Sequence, residues 1–342
     1  MSPHCGKRID ALSRRECAFA LYRLPGTEED IFCMAEDGGT LPAPQGKGFL
    51  LCTFSGKLLC IPDERAEVPT PGYWKISPDR YPITPATTRA EYARLFRLYK
   101  GFIGTEVRKI VLARTADLPL PKGVSPYAIY QAAARNNPGA FTALHHSPEW
   151  GTWLFSTPEQ LLTGQNGTWH TMALAGTKQN DGTPWDTKNI REQALVADFI
   201  RRTVTPIAES VQESAPESLI TGNIRHLCTR FCIRMPQEQL LPLLKQLPPT
   251  PAVCGAPVEQ TRKLILDWPD IDRCCYAGYM GPWQENAVHL YVSLRGMSFF
   301  PGVGRLYAGG GLMPDSEEEQ EWQETEAKMQ AMKQALHCAG YL

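Results

Sequence analysis

What this chain of 342 residues lacks narrows its function first. It carries no excess of either charge: 35 Lys and Arg against 36 Asp and Glu leave a net charge of −1. No global field therefore favours nucleic acid or an anionic membrane, and no basic patch interleaved with aromatics reverses this. No apolar run approaches the ~20 residues of a membrane span. The opening MSPHCGKRIDALSRR is polar and has no apolar signal core, so a cytoplasmic protein is expected. There is no G-x-G-x-x-G after an early strand and no Walker A loop, which removes the usual dinucleotide and nucleotide readings. Internal repeats and low-complexity tracts are also missing. The eleven cysteines are odd in number, and no pair has zinc-ligand spacing. With 43% hydrophobic residues the chain needs no disulfide framework, so these read as reduced thiols.

What is present reads as strands and helices in separate runs. The segment 46–62 (GKGFLLCTFSGKLLCIP) predicts two short strands about a Ser-Gly turn. A Pro-rich connection over 70–88 leads to a helix over 88–104, with Thr88 as its cap. VRKIVLART (107–115) predicts a strand, and SPYAIYQAAARNN (125–137) a helix capped by Ser125. GAFTALHH and GTWLFST predict strands about a turn at Ser147-Pro148, and 167–176 another ending at Gly176. A long amphipathic helix is expected over 186–211, with Ile190, Ala194, Ala197 and Ile200 near one face. LITGNIRHLCTRFCIRM reads as one strand and VEQTRKLILDW (258–268) as a short helix. A run of strands then leads to a C-terminal helix over 316–338. This pattern predicts an α+β fold with large antiparallel sheets.

PDSEEEQEWQETEAK (314–328) concentrates seven acidic side chains in that last helix. Glu317, Glu318 and Glu319 fall in its first turn, where they complement the helix dipole and Ser316 can cap. Glu321, Glu324, Thr325 and Lys328 are spaced to share one face. Taken alone, the face reads either as a solvated surface or as two oxygen donors for a Mg²⁺ that retains waters. Just upstream, Gly309, Gly310 and Gly311 form either a tight turn or a loop that lets backbone N–H groups approach a carboxylate.

The stretch SLRGMSFFPGVGRLYAGGGLMPDSEEEQEWQETEAK resembles the signature end of the chorismate-utilising enzymes. RKIVLAR, STPEQLL, ALAGTKQ, PPTPAVCGAP and DRCCYAG match the same family in order, over about residues 100–335. Within it the chain looks most similar to the menaquinone-type isochorismate synthases. The resemblance implies a two-lobed α+β fold with antiparallel sheets flanked by helices around a central cleft. It implies one domain over 1–342, with a short variable part over 1–95 and the motif-bearing core over 96–340. It further implies chorismate as substrate, Mg²⁺ as cofactor, no nucleic-acid or membrane partner, and a monomer or weak homodimer. By resemblance, Glu192 and Glu321 are the main metal ligands, with Glu324 near the ion. Arg295 pairs with the enolpyruvyl carboxylate. Lys328 and the backbone around Gly176, Thr177, Gly309 and Gly311 complete the anion contacts, and His226 and Tyr276 line the cleft.

Three positions bear on the reaction. The position of Lys109 holds lysine in members that use water and glutamine in those that use ammonia, so Lys109 is the expected general base. Glu159 is the expected general acid for the departing 4-hydroxyl, which requires a raised pKa. Ala175 stands where aminodeoxychorismate synthases with a covalent mechanism carry a lysine nucleophile. Gln193 and Pro248 replace histidines of many relatives, which fits the menaquinone subgroup, and the connection from Gly176 to Glu192 is short. The alternatives are a salicylate synthase, which also eliminates pyruvate, and a non-catalytic chorismate-binding relative.

Overall fold

The computed structural model describes residues 17–34, 39–42, 44, 46–64, 84–104, 106–284 and 286–342. Most of the Pro-rich stretch expected over 70–88 lies outside them. The described chain builds two antiparallel sheets. The first runs from Gly255–Ala256 (β13) through Lys109–Pro119 (β5), Val303–Leu312 (β17), Gly296–Phe300 (β16), Gly151–Thr157 (β7), Phe141–Ser147 (β6) and Phe19–Arg23 (β1) to Ile31–Cys33 (β2). The second runs from Ser210–Glu213 (β10) through Ile224–Arg234 (β12), Thr168–Gln179 (β9), Gln160–Gln165 (β8), Ala287–Val292 (β15), Tyr279–Gln284 (β14) and Gly48–Cys52 (β3) to Leu58–Pro62 (β4). Glu217–Thr221 (β11) also pairs with β12.

Alternation along the strands decides which face meets which layer. In β1, Ala20 and Tyr22 join the large core shared by both sheets, while Phe19 and Leu21 face a second core on the outer side of the first sheet. Aromatic side chains from the two sheets interdigitate: Tyr22 lies 5.2 Å from Phe49, and Phe141 stacks on Tyr291 at 4.2 Å. Two helices cover the outer core, Pro126–Asn136 (α2) and Glu318–Cys338 (α6), through Ile129, Ala133, Met329, Met332 and Leu336. Arg89–Phe102 (α1) starts as expected, with Thr88 accepting from the Glu91 N–H. Ser125 likewise caps α2. Leu240–Gln246 (α4) and Val258–Asp267 (α5) are short.

Three local expectations are corrected. The helix expected over 186–211 is Thr187–Val204 (α3), capped by Asp186, and Ile190 on it is half exposed at 51%. Its buried face carries Asn189, Glu192 and Gln193 ahead of Val196, Ala197 and Ile200. The single strand expected from Leu219 onward is a hairpin, because Gly222, with φ +61°, and Asn223 turn the chain between β11 and β12. Ser316 does not cap α6. Its hydroxyl accepts from the Met313 N–H and donates to Glu321 Oε1 at 2.6 Å.

Candidate active site

The cleft opens where β9 and β12 of one sheet face β5 and β17 of the other. It is lined by Glu159, Ala175, Gly176, Thr177, Glu192, His226, Tyr276, Arg295, Gly309, Gly311 and Lys328. A bulge shapes its first wall: Thr177 pairs with His226 and Ala175 with Leu227, which leaves Gly176 as an extra residue at φ +75°. The turn aims the Thr177 N–H at Asn189 Oδ1, 3.0 Å away on α3.

His226 and Arg295 act as a pair. His226 Nε2 is 2.7 Å from an Arg295 nitrogen, and Nδ1 is 3.1 Å from the Gly176 carbonyl. A guanidinium only donates, so Nε2 must accept and the proton must sit on Nδ1, donating to Gly176. Burial and the Arg295 charge both hold the imidazole neutral, well below its ordinary pKa. Arg295 itself sits at φ +52°, a left-handed conformation that costs a side-chain-bearing residue energy. Its carbonyl accepts from the Ser156 N–H at 3.2 Å, which helps to fix that turn.

Glu159 follows β7 and is 3% exposed. Burial pushes its carboxyl up to about 8, against the pull of Lys109, Lys328 and Arg295. Lys109 opens β5 and is fully buried behind the cleft wall. Its Nζ lies 2.9 Å from Glu192 Oε1 but makes no aligned hydrogen bond. Tyr276 is buried, with its ring 5.7 Å from that of Tyr307.

The C-terminal end of β17 gathers the carboxylates. A Cβ at Gly310 would stand 2.7 Å from Glu321 Oε2, and one at Gly311 would collide with Glu192 Oε1 and Lys109. Consecutive strand residues face opposite ways, so the bare backbone admits carboxylates on both faces. Each carboxylate meets a lysine: Glu192 meets Lys109, Glu321 meets Lys188, and Glu324 meets Lys328 at 2.6 Å. Lys328 also donates to the Gly309 carbonyl at 2.7 Å. Burial pushes the Glu321 carboxyl up, and neighbouring Glu324 adds to this. Burial also works against the charge on Glu324, but Lys328 and Lys188 overcome it and hold that carboxyl low.

These donors suit a hard cation that keeps most of its waters. The observation that fits is Glu321 Oε2, a buried acceptor with no hydrogen-bond partner. The expected convergence of Glu192, Glu321 and Glu324 is looser than a cage. Among the described residues no three His, Cys, Asp or Glu side chains stand close enough to hold an ion by themselves. Sequence reasoning missed Lys188 and Asn189. The signal for Asn189 was a polar residue one helical turn from Gln193, on a face otherwise apolar further along. Gln193 donates to Thr229 Oγ1 at 2.8 Å and ties α3 to β12.

Fold and cleft together define a class: α+β proteins with two large antiparallel sheets enclosing lysine–carboxylate pairs, a buried carboxyl and an arginine. Residues 97–337 match the family model described as "Chorismate binding enzyme". The chain belongs to the chorismate binding enzyme family. It is 31% identical over 242 residues to isochorismate synthase MenF of Escherichia coli K12, covering 68% of this chain and 56% of that protein. It is 32% identical over 251 residues to the salicylate biosynthesis isochorismate synthase of Pseudomonas aeruginosa, covering 68% and 52%. The matched region thus spans little more than half the length of these curated relatives. The fold matches the solved structure of Escherichia coli MenF, the menaquinone-specific isochorismate synthase, with a TM-score of 0.80 at 22% identity over 96% of this chain and 91% of that one. Anthranilate synthase component I from Streptococcus pneumoniae TIGR4 matches with a TM-score of 0.67 at 17% identity, over 92% and 89%.

Proposed function

We propose that the protein is a Mg²⁺-dependent isochorismate synthase: water adds at ring carbon 2 of chorismate and the 4-hydroxyl leaves as water. The observation that carries this reading is a fully buried amine, Lys109, behind the wall of the cleft that is lined by a carboxyl, Glu159, which burial keeps protonated up to about pH 8. Glu159 donates its proton to the departing hydroxyl oxygen, and Lys109 takes a proton from the attacking water. Arg295, oriented by neutral His226, pairs with the enolpyruvyl carboxylate. Lys328 and the amides near Gly176, Thr177, Gly309 and Gly311 contact the remaining anionic oxygens.

Glu192, Glu321 and Glu324 would hold the cation. Bound there, Mg²⁺ would supply positive charge to the ring carboxylate. Ala175 lines the cleft and offers no nucleophile, which speaks against a covalent aminating route. A role feeding menaquinone synthesis is supported by Gln193 and Pro248 and by the similarity to MenF. From the family resemblance we also propose a cytoplasmic protein that is a monomer or weak homodimer. No described helix is long and apolar enough to cross a membrane.

The test is product identification by chromatography after incubation with chorismate. Isochorismate appearing only with Mg²⁺, and not with Lys109→Ala, supports the reading. Silence of the wild-type protein with Mg²⁺ overturns it. Pyruvate released in step with chorismate loss would instead identify a salicylate synthase.

A further inference from the structure

The segment from Asp270 to Gly278 links the protein surface to the cleft. Arg273 is buried and anchors it: the guanidinium donates to the Val111 carbonyl at 2.7 Å and the Val253 carbonyl at 3.0 Å, and pairs with Asp270. The turn is tight. Cys274 sits at φ +41° and Ala277 at φ +62°, and the Tyr276 N–H donates to the Arg273 carbonyl at 2.7 Å. Two adjacent cysteines occupy its middle. Cys274 is partly exposed and lines a surface cavity of about 670 Å³ together with Phe54, Thr84, Asp272 and Arg273. Cys275 is buried, and the two sulfurs lie 3.9 Å apart. The next residue, Tyr276, lines the cleft on the other side.

We propose that Cys274 and Cys275 are a vicinal dithiol modification site, open to peroxides from the surface cavity, whose oxidation displaces Tyr276 from the cleft. The sulfurs are in contact already, and a disulfide needs them about 2.05 Å apart. Closing that gap must rotate the peptide between them. Its carbonyl accepts from the Phe54 N–H at 3.1 Å, so the turn loses an anchor as it closes. Cys274 is the sulfur that meets the oxidant, because Cys275 is buried and its thiol is pushed well up by burial and by Cys274 itself. The steps balance. The Cys274 sulfur attacks one peroxide oxygen, the O–O bond breaks, and water leaves with sulfenic acid formed. The Cys275 sulfur then attacks the sulfenic sulfur, the S–O bond breaks and a second water leaves. Two thiols are oxidised by two electrons, and one peroxide is reduced to two waters.

The test treats the protein with hydrogen peroxide, alkylates remaining thiols and maps the peptides by mass spectrometry. The expected product is a Cys274–Cys275 peptide that is unalkylated and lighter by two hydrogens. Cys274→Ser and Cys275→Ser should each abolish it. The activity arm rests on the proposed reaction, and the mass arm does not. In that arm KM for chorismate should rise about tenfold on oxidation, through misplacement of Tyr276, and return with a reductant. The proposal is overturned if both thiols alkylate fully under conditions that oxidise exposed Cys338, or if Cys275 pairs with Cys52. A disulfide formed with KM unchanged overturns the coupling to Tyr276. A disulfide formed in a protein that never turns over chorismate overturns the proposed reaction and leaves the dithiol site standing.

Discussion

At the scale of residues, Glu159 and His145 titrate in opposite senses. The Glu159 carboxyl is raised from 4.5 to about 8 in the fold. Between those values the folded state binds the proton more tightly, so stability is full below the unfolded value and falls as pH rises through about 8. Turnover should fall on the same alkaline side, since only the protonated acid can donate. Glu159→Gln should flatten the stability profile from pH 4.5 to 8 and lower kcat by about 10²–10⁴. His145 is fully buried, stacks 5.9 Å from Phe155 and has no hydrogen-bond partner for either ring nitrogen among the described residues. Burial lowers its pKa from 6.5 to about 3, so the unfolded chain binds the proton first. Stability should drop as pH falls from 6.5 toward 3, and His145→Phe should remove part of that drop, read by denaturant midpoints. Lys109 and Glu159 were legible in the sequence as candidates, through the motifs around them, and the fold buries both. The contact between Lys188 and Glu321 was not, because a lysine in the first turn of a polar helix looks like any solvated cation until the fold brings α6 against it.

At the scale of elements, the end of β17 works through what it leaves out. Gly311→Ala would push a methyl group into Glu192 and Lys109. The variant should fold, with an unchanged far-ultraviolet spectrum, and lose at least about tenfold in kcat/KM, consistent with a carboxylate shifted from its place. Asp186→Ala should destabilise α3 by about 1 kcal/mol in denaturant melts, the usual worth of an N-cap, since Asp186 accepts from the Asn189 N–H. Strand and helix identities were readable from period and caps, as α1 and α2 illustrate. The reading failed where polar residues turn inward. The apolar reading of α3 put Ile190 inside, whereas the fold turns Asn189, Glu192 and Gln193 inward. The hairpin at Gly222-Asn223 was hidden because β-prone residues continue on both sides of a turn only two residues long.

At the scale of the whole molecule, alternation of strands with isolated helices made the α+β class readable. The order of strands in each sheet was not, because β13–β5 and β14–β3 pair residues far apart in sequence. The carboxylates near the cleft come from α3 and α6, and in the sequence only the family resemblance, not spacing, joined them. Added Mg²⁺ should raise Tm, by about 2.7 kcal/mol of stabilisation at a hundred times Kd, and a chelator should reverse it. Thermal melts with and without the ion test this.

The three lysine–carboxylate pairs cancel one another, and Glu159 is neutral below about pH 8. Among the described residues that line the cleft, Arg295 is left as a charge without an ionic partner. A divalent cation entering alone meets that one positive charge and is repelled by it. A dianion entering alone finds half the positive charge it needs. Arriving together they neutralise each other, so each should tighten the other's hold by the same factor.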